Sequence, residues 1–301
     1  MPVAVAAAAA FTGIQVGAAM VATRYVVADV GPATLALLRY AIGFLCLVPV
    51  LAASGTGLRC PPRDLVPIAL LGIVQFGVLI ALLNVGLGTV PAGRAALVFS
   101  SFPLLTMLVA ATLGRERLTW AKTAGVLLTI MGVGLALADR LGGAGRGWTG
   151  EATILLAALC GAVCTVLYRP YVARHSALAV GAIAMLASVA FLAGLAAAED
   201  PLAALPRLGL AGWAAILFIG VGSGSAYVLW LWALGRATPT RVTVFLGLGP
   251  VTAILFGALL LDEPVGWLPL AGLVAVLAGL RVALGAPPAQ SRSRNSATSA
   301  I

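Results

Sequence analysis

Residues 88–120 read GTVPAGRAALVFSSFPLLTMLVAATLGRERLTW, and residues 235–267 read GRATPTRVTVFLGLGPVTAILFGALLLDEPVGW. A shift of 147 positions lays one on the other without a gap, and the match extends over Asn84–Leu137 and Leu231–Leu284. Gly88 then falls on Gly235, Arg94 on Arg241, Pro103 on Pro250, Glu116 on Glu263, Trp120 on Trp267, Gly125 on Gly272 and Gly132 on Gly279. Leu, Ala and Gly coincide by chance in so apolar a chain. Arg, Pro, Glu and Trp are scarce in it and do not. The chain is a duplicated half, and such self-similarity is settled before any local reading.

Each copy holds two long apolar runs with a charged joint between them. In the first, residues 91–113 carry one arginine at their start, Arg115-Glu116-Arg117 follow, and a second run goes from Trp120 to Ala138. Runs of about 20 apolar residues are what a hydrocarbon core of about 30 Å asks of a helix. Composition agrees: 62% of the residues are hydrophobic and 9% charged, against about a quarter charged in soluble domains. The formal net charge of +9 is scattered singly or in pairs between apolar runs, with no basic patch interleaved with aromatics, so nucleic acid is not an expected partner. Cys46, Cys160 and Cys164 lie inside apolar runs, Cys60 sits in a loop, and His175 is the one histidine. Neither a disulfide framework nor a metal-ligand spacing follows, and no cofactor or metal is expected.

In order, the expected helices span residues 1–23, 32–53, 65–87, 91–113, 119–138, 151–172, 177–197, 211–234, 239–261 and 266–285. Residues 24–31 read as the first loop, and the glycine-rich residues 139–150 as a linker between halves 1–138 and 151–285. Residues 286–301, with Pro287, Pro288 and four serines, read as a disordered tail. Gly13 and Gly17 form a GxxxG that permits close helix contact. Five helices per half is an odd number, so the second half must insert upside down. Charge supports this: with a cytoplasmic N-terminus, twelve Arg and Lys fall inside, five outside, and Arg39 within a helix. The expected fold is all-α and integral to the membrane, ten helices in an inverted five-plus-five repeat, both termini cytoplasmic.

The residues 31–39 opening of helix 2 (GPATLALLR), the turn leading through Pro103, and the Glu116 and Glu263 joints before small-residue helices together resemble the drug/metabolite transporter superfamily, in its EamA-type, two-domain form. The likeness covers about residues 5–285. It implies export or exchange of small metabolites, possibly amino acids or related compounds, across the inner membrane around a cavity lined by both halves. The second half has no counterpart of Arg39 in its helix 7, so only the first half can use that charge.

Pro103 and Pro250 sit halfway along helices 4 and 9 at equivalent positions, where each should kink its helix near the midplane; Ser100 precedes the first. Arg39 lies about two turns into helix 2. There it either snorkels outward, bonds backbone carbonyls, or meets an anionic substrate group. Ser223, Tyr227 and Trp230 share one face of helix 8, and Tyr168 lies on helix 6 with Cys160 and Cys164. With Gln15, Gln75 and Phe76 these form the candidate substrate cavity, the alternative for each being an interior packing face. No carboxylate falls mid-span, which favours facilitated diffusion or exchange over a proton-coupled antiporter. The run Gly220–Gly224 around Ser223 has no base within its helix, leaving an intramembrane enzyme or a non-transporting scaffold as remote alternatives. Partners are a small metabolite and the lipid bilayer; oligomeric state is not legible.

Overall fold

A computed structural model describes residues 1–55, 60–115, 119–141, 148–199, 205 and 208–284. Its helices are α1 (Val3–Val30), α2 (Pro32–Ser54), α3 (Pro62–Thr89), α4 (Ala92–Thr112), α5 (Trp120–Leu141), α6 (Thr149–Arg174), α7 (Ala177–Glu199), α8 (Leu210–Leu234), α9 (Pro239–Leu261) and α10 (Trp267–Leu284). Eight are long and apolar enough to cross a membrane, and α5 and α10 add shorter apolar stretches. Large apolar side chains such as Leu210, Leu259, Leu260 and Val274 stand exposed around the outside, as lipid-facing residues do.

One boundary differs in kind from the sequence reading. Residues 24–31 are not a loop: α1 continues through Arg24 to Val30. The charge that suggested a break is met instead by Arg24 Nη1 donating to the Leu87 and Gly88 carbonyls at 2.9 and 2.7 Å. Helix 3 also starts earlier than expected, so that Asp64 belongs to its first turn. The expected linker falls partly on residues 142–147, which lie outside the described residues, as do Glu116 and the tail.

The packing obeys a two-fold rule that exchanges the halves. α1 lies on α8 as α6 lies on α3, and α1 on α9 as α6 on α4. The pairs α2–α7, α4–α9 and α5–α10 map onto themselves. The α5–α10 seam shows the sense of the axis. Gly132 abuts the Gly272 carbonyl while Gly279 abuts the Gly125 carbonyl, so the numbers run in opposite directions. Since Gly125 and Gly132 are the repeat partners of Gly272 and Gly279, the axis passes through this crossing and inverts one half relative to the other. Small residues at such crossings let backbones approach where no hydrophobic gain separates helix from lipid.

Candidate functional site

Between the halves lies a cavity with about 90 Å³ open to the centres of water molecules, lined from α1, α2, α3, α4, α8 and α9. At about 10–15 Å³ per water on this measure, that is room for several waters or one small solute. Three local distortions of the backbone shape its wall. Pro103 and Pro250 have no N–H, so Phe99 and Leu246, four residues earlier, lose their α-helical donors. α4 accordingly breaks at Ser100–Ser101 and α9 tightens to a 3₁₀ turn over Val244–Gly247. Phe99 and Leu246, equivalent in the repeat, both line the cavity. The third distortion is a π-helical segment, Ile73–Val78 in α3, which carries the lining residues Gln75 and Phe76. π-segments of this kind concentrate at functional sites.

A few polar groups line an otherwise apolar chamber. Arg39 is 8% exposed and its Nε donates to Ser223 Oγ at 2.7 Å. Its guanidinium lies 5.6 Å from the Tyr40 ring centroid, within cation–π range. Neither terminal nitrogen of Arg39 has a hydrogen-bond partner among the described residues. Gln15 Nε2 and Gln75 Oε1 are buried and likewise without protein partners among them. Burying an amide group unpaired costs about 1–3 kcal/mol on mutational scales, so a cavity that holds several is built for water or solute. Gln15 lies across Gly222, where a β-carbon would collide with its amide. The aromatic wall continues through Tyr40 and Phe76 (ring centroids 4.6 Å), Phe76 and Tyr227 (4.2 Å), and Phe102 and Trp230 (6.5 Å).

Of the residues singled out from sequence, Gln15, Arg39, Gln75, Phe76, Ser223, Tyr227 and Trp230 line this cavity. Ser100, Pro103, Pro250 and Tyr168 do not. The Ser100 hydroxyl donates to the Ala96 carbonyl at 2.8 Å inside the helix break, and the two prolines are buried just beyond their breaks. Tyr168 stands behind Tyr227, with ring centroids 6.4 Å apart, so α6 backs the wall and α2 supplies it. Snorkelling by Arg39 is excluded by its burial and its Ser223 bond. The sequence reading missed Thr12, Met20, Thr23, Tyr40 and the α3 leucines; nothing but helical phase distinguishes these from core residues. Gly220 and Gly224 pack on Ile42 and Gly43 of α2, so the run around Ser223 is a helix seam.

Both ends of the chamber are bridged by contacts between halves. On the face away from the N-terminus, the Glu263 carboxylate accepts from the N–H groups of Ala92 (2.9 Å) and Gly93 (3.4 Å) at the start of α4. Arg24 approaches the same carboxylate at 3.9 Å. Nearby, Glu199 accepts from the N–H groups of Ala33 (2.9 Å) and Thr34 (2.7 Å) and so caps α2. Carboxylates at helix starts meet unpaired donors and the positive end of the helix dipole. Gly31 is obligatory there: its φ is +92°, and the Glu199 carboxylate occupies the space of a β-carbon. On the N-terminal face, Asp64 of α3 meets His175, which follows α6, at 2.8 Å, with Arg174 at 3.7 Å.

Comparison with known proteins follows the same division into halves. The EamA-like transporter family model matches residues 3–138 and again residues 148–285. A probable terminal-alkyne amino-acid exporter of Streptantibioticus cattleyicolor is 33% identical over 91% of this chain and 88% of its own. A probable amino-acid metabolite efflux pump of Escherichia coli K12 is 28% identical over 70% of this chain and 73% of its own. A solved crystal structure superimposes with a TM-score of 0.73 over 94% of this chain and 96% of that one, at 24% identity, and shares the fold.

Proposed function

This chain belongs to the EamA-like transporter family, and from that premise we propose that it exports or exchanges small amino-acid-like metabolites by alternating access around the Arg39 cavity. One observation carries the substrate class. A buried guanidinium, a free amide donor and a free amide acceptor face one small chamber whose remaining wall is aromatic and aliphatic. A carboxylate suits Arg39 and Gln15, an ammonium group suits Gln75 and the aromatic faces, and the side chain is left to the apolar part of the wall. The names of the relatives point to the same class.

Alternating access then amounts to exchanging the latch on one face for the latch on the other, each of which joins first half to second. Among the described residues no carboxylate lines the cavity: Asp29, Asp64, Asp139, Glu151, Glu199, Asp262 and Glu263 all sit within a turn or so of a helix end. Without a relay at mid-depth, transport runs on the substrate gradient rather than on protons, and the protein is a carrier and not an enzyme. Counterflow of labelled amino acids into proteoliposomes tests this. Exchange should appear for at least one class of amino acid, and its initial rate should change less than about twofold under an imposed pH difference. Uphill accumulation driven by a proton gradient would replace this reading with the coupled antiporter.

The membrane is inferred to be the cell's inner one, with both termini cytoplasmic, on the twelve-to-five charge split. A single cysteine at Trp148, on the opposite face, should then react with an impermeant maleimide added outside intact cells. Reaction only after permeabilisation would reverse the orientation.

A further inference from the structure

On the N-terminal face two loops from different halves place a thiol, a carboxylate and an imidazole together. Cys60 precedes α3, Asp64 lies in its first turn, and His175 caps the C-terminus of α6. One ligand atom from each lies within 4.8 Å of both others. We propose that these three side chains form a binding site for a divalent transition metal of the Zn²⁺ class, and that the bound ion clamps the two halves together on this face.

The donor chemistry is the first argument. A thiolate, an imidazole nitrogen and a carboxylate are the three protein ligands that Zn²⁺ takes, at about 2.0–2.3 Å, and three with an open fourth position make a stable site. Tetrahedral geometry at those lengths separates donor atoms by about 3.3–3.8 Å. The His175–Asp64 contact of 2.8 Å is shorter than that and the widest separation longer, so adjustments of about 1 Å, within side-chain rotation, complete the set. The ion takes the lone pair of Nε2 and an oxygen of Asp64 where these two atoms now meet, and the thiol gives up its proton to solvent. Partial burial and the neighbouring Asp64 charge push the Cys60 thiol above its ordinary value, so the apo site holds a thiol and the metal must displace that proton.

The second argument is charge. Asp64 is only 9% exposed at its side chain, and Arg174 balances it from 3.7 Å. The Arg174 side chain is half exposed and rests over Tyr171, 5.4 Å from the ring centroid, so it can turn to water when the ion arrives. Thiolate and carboxylate together then neutralise a 2+ ion. An ion pair alone would account for Asp64, Arg174 and His175, but not for a sulfur within the same shell.

The test uses the purified full-length protein with Cys46, Cys160 and Cys164 replaced by serine, leaving Cys60 as the one thiol. Co²⁺ titration should show a thiolate-to-metal charge-transfer band at one equivalent, displaced by Zn²⁺. Cys60→Ser should abolish the band, and His175→Asn should weaken binding about tenfold or more. This readout needs no substrate, so it stands or falls apart from the transport reading. The clamp, which does rest on that reading, predicts that Zn²⁺ slows counterflow several-fold and leaves the Cys60→Ser protein unaffected. Absence of the band, a band that survives both substitutions, or Zn²⁺-bound protein that transports at the metal-free rate overturns the proposal.

Discussion

Arg39→Ala is expected to weaken apparent affinity for a carboxylate-bearing substrate about thirtyfold or more while leaving the protein folded. Removing one partner of a buried, hydrogen-bonded charge pair costs about 2–5 kcal/mol, and each 1.4 kcal/mol is about tenfold. The variant loses the Ser223 bond, the contact over Tyr40 and the two terminal nitrogens that have no other partner among the described residues. Arg39→Lys keeps the charge but not the planar fork, so it should recover only part of the loss. Ser223→Ala, which removes an orienting hydroxyl, should cost about 1 kcal/mol, or about fivefold. Counterflow at graded substrate concentration reads all three, and a decarboxylated amine analogue serves as control. If Arg39→Ala loses affinity equally for the amine, the residue supports packing and the carboxylate is anchored elsewhere.

The asymmetry of that charge has a structural reason. Residues equivalent in the repeat build a symmetric frame: Phe99 and Leu246 line the chamber as a pair, and Pro103 and Pro250 bend their helices as a pair. The polar contents are not paired. Arg39 and Gln15 come from the first half and Ser223 from the second. On the alternating-access reading proposed above, the frame permits two equivalent tilts of the halves. The unpaired side chains within the chamber give those tilts different energies, and a solute with a distinct head and tail can be bound in one orientation.

The frame was largely legible in the sequence. Span lengths are set by bilayer thickness, and the 147-residue shift with an odd helix count implies inversion before any coordinate is seen. Seven of the eleven candidate residues line the chamber because polar or aromatic residues at helical spacing in an apolar chain have few other places to go. The rest was hidden for identifiable reasons. Ser100, Pro103 and Pro250 bend the wall without joining it, because a proline acts four residues upstream of itself. The π-helical segment Ile73–Val78 has no residue type that announces it. Cys60 and Asp64 lie four positions apart, but His175 is more than a hundred positions further on and belongs to the other half, so no spacing rule joins the three. Arg24 read as a loop residue because an arginine near a helix end usually is one; the Leu87 and Gly88 carbonyls keep it on the helix instead.

Gly17→Leu should be among the most damaging single changes in the apolar frame. Along the α1–α9 seam the numbers rise together, Gly13 over Phe245 and Gly17 over Gly249, so the helices run parallel and touch through backbone. A β-carbon on Gly17 would meet the Gly249 carbonyl, and it would lie 2.8 Å from Thr252 Cβ. A backbone carbonyl cannot rotate out of the way, so α1 itself must shift. Overpacking a core costs about 1–3 kcal/mol, occasionally more, and here the shift also carries Gln15, which lies between the two glycines, away from its seat across Gly222. We therefore expect lower thermal stability of the purified protein together with loss of most counterflow activity. Gly194→Leu is the matched control, because a β-carbon at Gly194 on α7 meets nothing within 4 Å. It should stay within about 0.5 kcal/mol of the parent, as surface substitutions do. Equal stability and equal flux in the two variants would mean that α1 and α9 are not in backbone contact, and the cavity wall built on that contact would have to be redrawn.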